Sequence, residues 1–201
     1  MNGAGRSVAI EGHAVAIGGP MTALNTRRHE TALLVFMVIV FAHLAEHVVQ
    51  AIQIWALDMP RPEARGVLGN WFPWLVTSEA LHYGYALVML IGLIMLRPGF
   101  TGSSRTWWNV ALVIQIWHHL EHLLLLGQKS FNHNLFGEPV PTSILQLFVM
   151  RVELHIFYNT IVLVPMLVAM WLHRWPRASD PAAACTCSQA TAPAAVAPAN
   201  A

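Results

Sequence analysis

Charge is what this sequence has least of. Asp, Glu, Lys and Arg make up 10% of its 201 residues, against about 25% in a soluble domain. That leaves too few ionic groups to solvate a globular surface, and the formal net charge of +1 excludes a basic footprint for nucleic acid. Cysteine is almost missing too. Cys185 and Cys187 are the only two, which rules out a disulfide framework and leaves the apolar segments without a thiolate. Sustained period-two alternation is also absent, which argues against the strands of a membrane barrel. What the sequence does have is hydrophobic residues, 56% of the total, and eleven histidines, as many as its Lys and Arg combined.

The hydrophobic residues gather in four runs, about Thr31–Leu57, Trp74–Leu96, Trp107–Leu126 and Leu145–Leu172. Each reaches the roughly 20 residues that span about 30 Å of hydrocarbon as a helix. Proline and glycine punctuate the separators, among them Pro60, Pro62, Gly66, Pro98, Gly99, Gly137 and Pro141. Tryptophans stand near the run ends (Trp55, Trp71, Trp74, Trp107, Trp108, Trp171, Trp175), where an interfacial belt belongs. Arg27, Arg28, Arg97, Arg105, Arg174 and Arg177 flank one side; Arg61, Arg65 and Lys129 flank the other. The excess predicts both termini in the cytoplasm, in the plasma membrane of a prokaryote. Arg27-Arg28 has the look of a twin-arginine signal, but the following run is too long for one and carries His43, Glu46 and His47, so it reads as a retained helix. The expected organisation is a flexible segment 1–30, a membrane domain 31–173, and a disordered Ala/Pro-rich tail 174–201. Cys185-Thr186-Cys187 has donors for a soft metal ion, but a passive tail is the expectation.

The two halves repeat one pattern. The first run contains His43-x-x-Glu46-His47 and the third His118-x-x-Glu121-His122; the second contains Leu81-His82-x-x-Tyr85 and the fourth Leu154-His155-x-x-Tyr158. The predicted fold is therefore all-α: an integral-membrane four-helix bundle of two tandem helical hairpins related by a pseudo-twofold axis along the membrane normal.

On a helix, residues i, i+3 and i+4 share a face. His43, Glu46 and His47, with Gln50 one turn on, form one polar stripe; His118, Glu121 and His122 form another. Ser78, His82 and Tyr85 match Arg151, His155 and Tyr158. Lipid does not solvate such stripes, so they should face one another inside the bundle, at one depth in the half of the membrane opposite the termini. A divalent cation would compensate the carboxylates and accept neutral imidazoles. The expected ligands are His43, Glu46, His47, His82, His118, Glu121, His122 and His155, enough for one or two ions of iron, zinc, manganese or copper. Glu79, Tyr85, Gln50, His119, Arg151 and Tyr158 are expected around them, with a salt bridge the plain reading of Arg151.

H-x-x-E-H resembles the motif of the inverted zinc proteases, in which two histidines bind zinc and the glutamate is the base. Its doubling inside apolar runs departs from that soluble pattern. Helix-borne Glu and His are also similar in chemistry to the di-iron carboxylate bundles, although the paired motifs here run His-x-x-Glu.

Three functions follow from this chemistry. The first is a membrane metalloprotein, an oxidoreductase acting on a lipid-soluble substrate or on oxygen. The second is a haem b electron carrier using histidine pairs as axial ligands. The third is a transporter or sensor of metal ions or protons, which the strongly apolar inner halves of the runs oppose. The expected partners are the lipid bilayer and a lipid-soluble substrate or redox partner, with no nucleic acid; the oligomeric state is left open.

Overall fold

The computed structural model describes residues 19–185 and 187–189. Among them there is no strand. A short helix α1 (Pro20–Leu24) leads into the long α2 (His29–Trp55). Two brief pieces follow, α3 (Leu68–Trp71) and α4 (Pro73–Thr77), then α5 (Glu79–Leu96), α6 (Gly102–Phe131) and α7 (Arg151–Arg174). Four helices are long and apolar enough to cross a membrane: α2, α6, α7, and α5 with its 3-10 extension to Gly99. Their apolar stretches have mean hydropathies of 2.2, 1.3, 1.7 and 1.6 respectively, and the chain is a multi-pass membrane protein on that reading.

Helix α2 packs on α5 and α7, and α6 packs on the same two. Between apolar helices in lipid, close van der Waals contact replaces the hydrophobic drive. Small side chains provide it here: Ala86, Ala111 and Ala169 are fully buried, and a Cβ on Gly92 would strike the ring of Phe36. Leu33, Val40, Leu93, Trp108, Val162 and Met166 fill the middle. Trp108 adds a polar tie, donating its indole N–H to the Leu93 carbonyl at 2.8 Å. Leu34, Val38, Val113 and Phe157 remain exposed on the outside, as lipid-facing residues should.

The helix ends correct the apolar runs in several places. The second run is not one helix, because Ser78 is extended at ψ 108° and α5 starts anew at Glu79, with the Ser78 side chain accepting from Leu81 N. In the fourth run a 3-10 turn at Leu145–Leu147 ends before Met150, which is extended at ψ 154°, and α7 starts at Arg151. Hydrophobicity carried both runs through these breaks, but the backbone stops there. Helix α6 instead outruns its apolar core at both ends. A capping box between Thr101 and Ser104 begins it, and Asn132 in the left-handed conformation ends it.

The flanking segments are tied down where they are described. Within the segment expected to be flexible, residues 1–18 lie outside the described part, while Asn25 is buried and bonds to both Gly99 N and Met95 O at 3.0 Å. In the segment expected as a loose tail, Asp180 accepts from Ser103 N at 2.9 Å and Ser103 Oγ at 3.0 Å. These bonds, the backbone one foremost, hold the Asp180 carboxyl below its ordinary value. Gln189 N reaches the Arg174 carbonyl at 2.9 Å. Residues 190–201 lie outside the described part.

Candidate metal centre

Because the four long helices alternate in direction, the ends of α2 and α6 meet the beginnings of α5 and α7. His82 is the fourth residue of α5 and His155 the fifth of α7. The cluster therefore sits just past their first turns, nearer the helix ends than the apolar runs imply.

Six imidazoles converge there. His47 and His155, from opposite halves of the chain, have ring centroids 4.8 Å apart. His82 and His122, again from opposite halves, are 6.2 Å apart. His155 lies 5.3 Å from His122, 5.9 Å from His82 and 6.1 Å from His118. His43 joins through His47 at 4.6 Å. Imidazoles sharing one ion have centroids roughly 5–6.5 Å apart, given a metal–nitrogen bond of about 2.0–2.1 Å plus the ring radius. His47, His118, His122 and His155 are buried; His43 and His82 are half-buried.

The nitrogens are sorted as ligands require. His82 Nδ1 bonds to the Ser78 carbonyl at 2.9 Å, and His155 Nδ1 to the Arg151 carbonyl at 2.7 Å. A carbonyl only accepts, so each Nδ1 carries the proton and each Nε2 keeps its lone pair. His47 Nδ1 likewise donates to Gln50 Oε1 at 2.8 Å. This pattern of one nitrogen anchored and the other free is the usual support for a metal-bound histidine. His155 Nε2 is buried without a hydrogen-bond partner. Within each H-x-x-E-H motif the two Nε2 atoms face each other, His43 to His47 at 3.1 Å and His118 to His122 at 3.0 Å. Two nitrogens about 2.1 Å from one ion stand that far apart when they subtend roughly 90–100°. His118, His122 and His155 could hold a metal ion outright, their nitrogens lying within 4.8 Å of one another. A cavity of about 10 Å³ is lined by these three together with Glu121 and Tyr158.

Cavities of different size meet the cluster, and one of about 730 Å³ is lined by His47, His82 and His155 together. On the other side of the cluster, a cavity of about 240 Å³ is lined by His43, Glu46, His47, Gln50, His82 and Tyr85, with loop residues beyond. His43 stacks on Tyr85 at 3.5 Å and His118 on Tyr158 at 4.4 Å. One anchor is also unmatched. Leu125 stands where symmetry with Gln50 would place an acceptor, and His122 Nδ1 is buried without a partner.

Glu46 and Glu121, expected as metal ligands, line the cavities beside the histidines and also bond to loop amides. Glu46 accepts from the backbone amides of Val67 and Leu68 at 2.9 and 3.1 Å, and Glu121 from Leu145 N at 2.9 Å. Each carboxylate holds the loop that follows its own helix. The reason lies in the loops, whose turning backbones present amides that the helix end cannot satisfy. Gly66, at φ +75°, lets one loop close: a Cβ there would collide with the Glu46 carboxylate. Two glutamines complete the arrangement. Gln53 takes Gly66 N on its Oε1 at 2.8 Å, and Gln128 takes Thr142 N at 3.3 Å while donating to the Thr142 carbonyl at 2.9 Å.

Glu79 is bound by Arg151 through two bonds of 2.6 Å, a bidentate pair joining α5 to α7. Arg151 thus neutralises a glutamate, and Glu79 is committed to it. Arg61 pairs with Glu153 in the same manner. His119 points away from the cluster and packs against Tyr83 at 5.0 Å.

Gln53 and Gln128 each lie ten residues beyond the first histidine of their motif, a spacing that marks them as a pair. His29 and His173 carry a comparable signal. Each stands 18 residues, five whole turns, along a helix from His47 or His155, so each shares that histidine's face. No protein-family model, curated protein or solved structure matches the chain.

Proposed function

We propose that this chain is a histidine-ligated transition-metal protein of the membrane and that it works as an oxidoreductase. The carrying observation is the convergence of free Nε2 atoms from both halves, with the Nδ1 atoms of His47, His82 and His155 each fixed by an acceptor. One ion is assigned to His118, His122 and His155; a second, or an open coordination position, to His43, His47 and His82. With both Glu46 oxygens and one Glu121 oxygen taken by loop amides, the donor set is mainly imidazole, which suits copper, iron or zinc better than manganese.

The oxidoreductase reading is supported by two features. Tyr85 and Tyr158 stack on His43 and His118, bringing phenol rings against ligands. The 240 Å³ cavity also gives a small molecule or the head of a lipid-soluble substrate a way to the first-half histidines. Haem is disfavoured because the imidazoles touch one another and leave no slot for a macrocycle. Transport is disfavoured because the core beneath the cluster, from Val40 to Met166, is apolar.

The architecture proposed is a four-helix bundle of two tandem hairpins. The duplicated bonds support it: His43–His47 beside His118–His122, His82–Ser78 beside His155–Arg151, and Glu46 beside Glu121 on their loops. With both termini in the cytoplasm of a prokaryotic plasma membrane, the cluster lies in the outer half of the bilayer.

Elemental analysis and an optical spectrum of detergent-purified protein test the proposal. One or two transition-metal ions per chain are expected at this histidine cluster, with no Soret band, and loss of metal from it on His122→Ala or His155→Ala. Metal-free protein that binds none of copper, iron or zinc when loaded would overturn it.

A further inference from the structure

A second donor cluster stands at the opposite end of the long helices, about 27 Å along α7 from His155 by helix rise. The chain after α7 turns back and buries Cys185 and Cys187 against His173. His173 Nε2 lies 3.1 Å from Cys187 Sγ, and the donor atoms of all three residues fall within 4.8 Å of one another. His29 completes the surroundings. It is wholly buried, its ring is 5.2 Å from that of His173, and neither of its nitrogens has a hydrogen-bond partner. The fit is close, since a Cβ on Gly99 would strike the His29 ring. Arg174 Nη1 donates to the Cys187 carbonyl at 2.7 Å and so holds the returning chain in place.

Burying an imidazole with both nitrogens unsatisfied costs free energy unless something binds there. We propose that Cys185, Cys187 and His173, with His29 as fourth donor, form a site for a soft metal ion, copper(I) or zinc(II). Two thiolates with imidazole are the donors such ions select. The sulfurs are bonded to each other in the structure, so the site is gated by redox state. A dithiol reductant supplies two electrons and two protons, leaves as its own disulfide, and frees two thiols. Binding of the ion then releases those two protons. In the reducing cytoplasm, where the proposed orientation puts this end, thiols are the expected form.

Full-length protein in detergent, stripped of metal and reduced with a phosphine, is titrated with zinc(II) and, anaerobically in a separate arm, with copper(I), each against a chromophoric chelator. The arm with the tighter binding identifies the ion. Reduced wild type is expected to bind one ion more than Cys185→Ser/Cys187→Ser or than oxidised wild type. X-ray absorption should show sulfur next to that ion. His173→Gln should weaken its binding by on the order of 10–100-fold or more, the loss seen when even a ligand's supporting partner is removed. Equal ion counts in reduced and oxidised wild type, or a metal shell without sulfur, overturn the proposal and leave the pair a staple for the returning chain. That comparison needs no variant, so a misfolded mutant cannot obscure it.

Discussion

At the scale of single residues, the histidines proposed as ligands differ in which nitrogen is already occupied. His47, His82 and His155 have Nδ1 anchored, whereas His122 has not, because Leu125 stands one turn from it where Gln50 serves His47. Gln50→Leu should therefore lower metal affinity by about 10–100-fold while leaving stoichiometry at saturation unchanged, as measured by chelator competition. An unchanged affinity would show that Gln50 does not orient His47. Glu46 makes the opposite case. Its carboxylate serves Val67 and Leu68 rather than the histidines, so Glu46→Gln should keep the metal count. It should cost stability, about 1–3 kcal/mol for weakened charge-assisted bonds, seen as a lower melting temperature in detergent. Loss of metal instead would return Glu46 to the ligand set.

At the scale of elements, the polar contacts sit where helices begin and end. The breaks at Ser78 and Met150 start α5 and α7 just before the histidines they carry, so the carbonyls of Ser78 and Arg151 fall within reach of His82 and His155. Between these two helices, Glu79 is almost fully buried while Arg151 is about one-third exposed. Removing Arg151 strands a buried carboxylate; removing both charges strands nothing. Arg151→Met should thus melt lower than the double variant Arg151→Met/Glu79→Leu, a ranking that thermal unfolding in detergent can check. If the double variant is the less stable of the two, the pair contributes more than mutual neutralisation. In the loops, Gly66→Ala meets both a positive φ and the Glu46 carboxylate, and should destabilise the α2–α3 connection more than Gly84→Ala, a position with open space. Limited proteolysis of the loop compares the two.

At the scale of the whole molecule, the four helices hold polar clusters at their two ends with an apolar core between. His47 with His155 and His122 with His82 each pair a histidine of one half of the chain with one of the other, at ring separations of 4.8 and 6.2 Å. The cavities are unequal, one of about 10 Å³ and one of about 240 Å³, so equivalent residues need not act alike. His122→Ala should release the tightly held ion, and His47→Ala should leave that ion bound while blocking turnover or small-molecule binding. Metal content and ligand-induced spectral change, read side by side, separate the two effects. A metal that ties α6 to α7 also stabilises the fold by mass action, so chelation should lower the melting temperature of the wild type by more than that of His118→Ala/His122→Ala/His155→Ala.

Four apolar runs, their helical character and the residues that meet in the cluster were legible in the sequence. Burial in lipid forces backbone bonds to close within each helix and polar stripes to face inward, and the i, i+3, i+4 spacing already says which side chains share a face. Tertiary structure alone decided the rest. Whether Glu46 and Glu121 turn to metal or to loop amides depends on where the chain returns after each helix. Whether Cys185 and Cys187 trail free or reach His173 depends on a fold-back that no local pattern encodes. Spacing along one helix is fixed by its geometry, but contacts between segments distant in sequence arise only once the helices have packed.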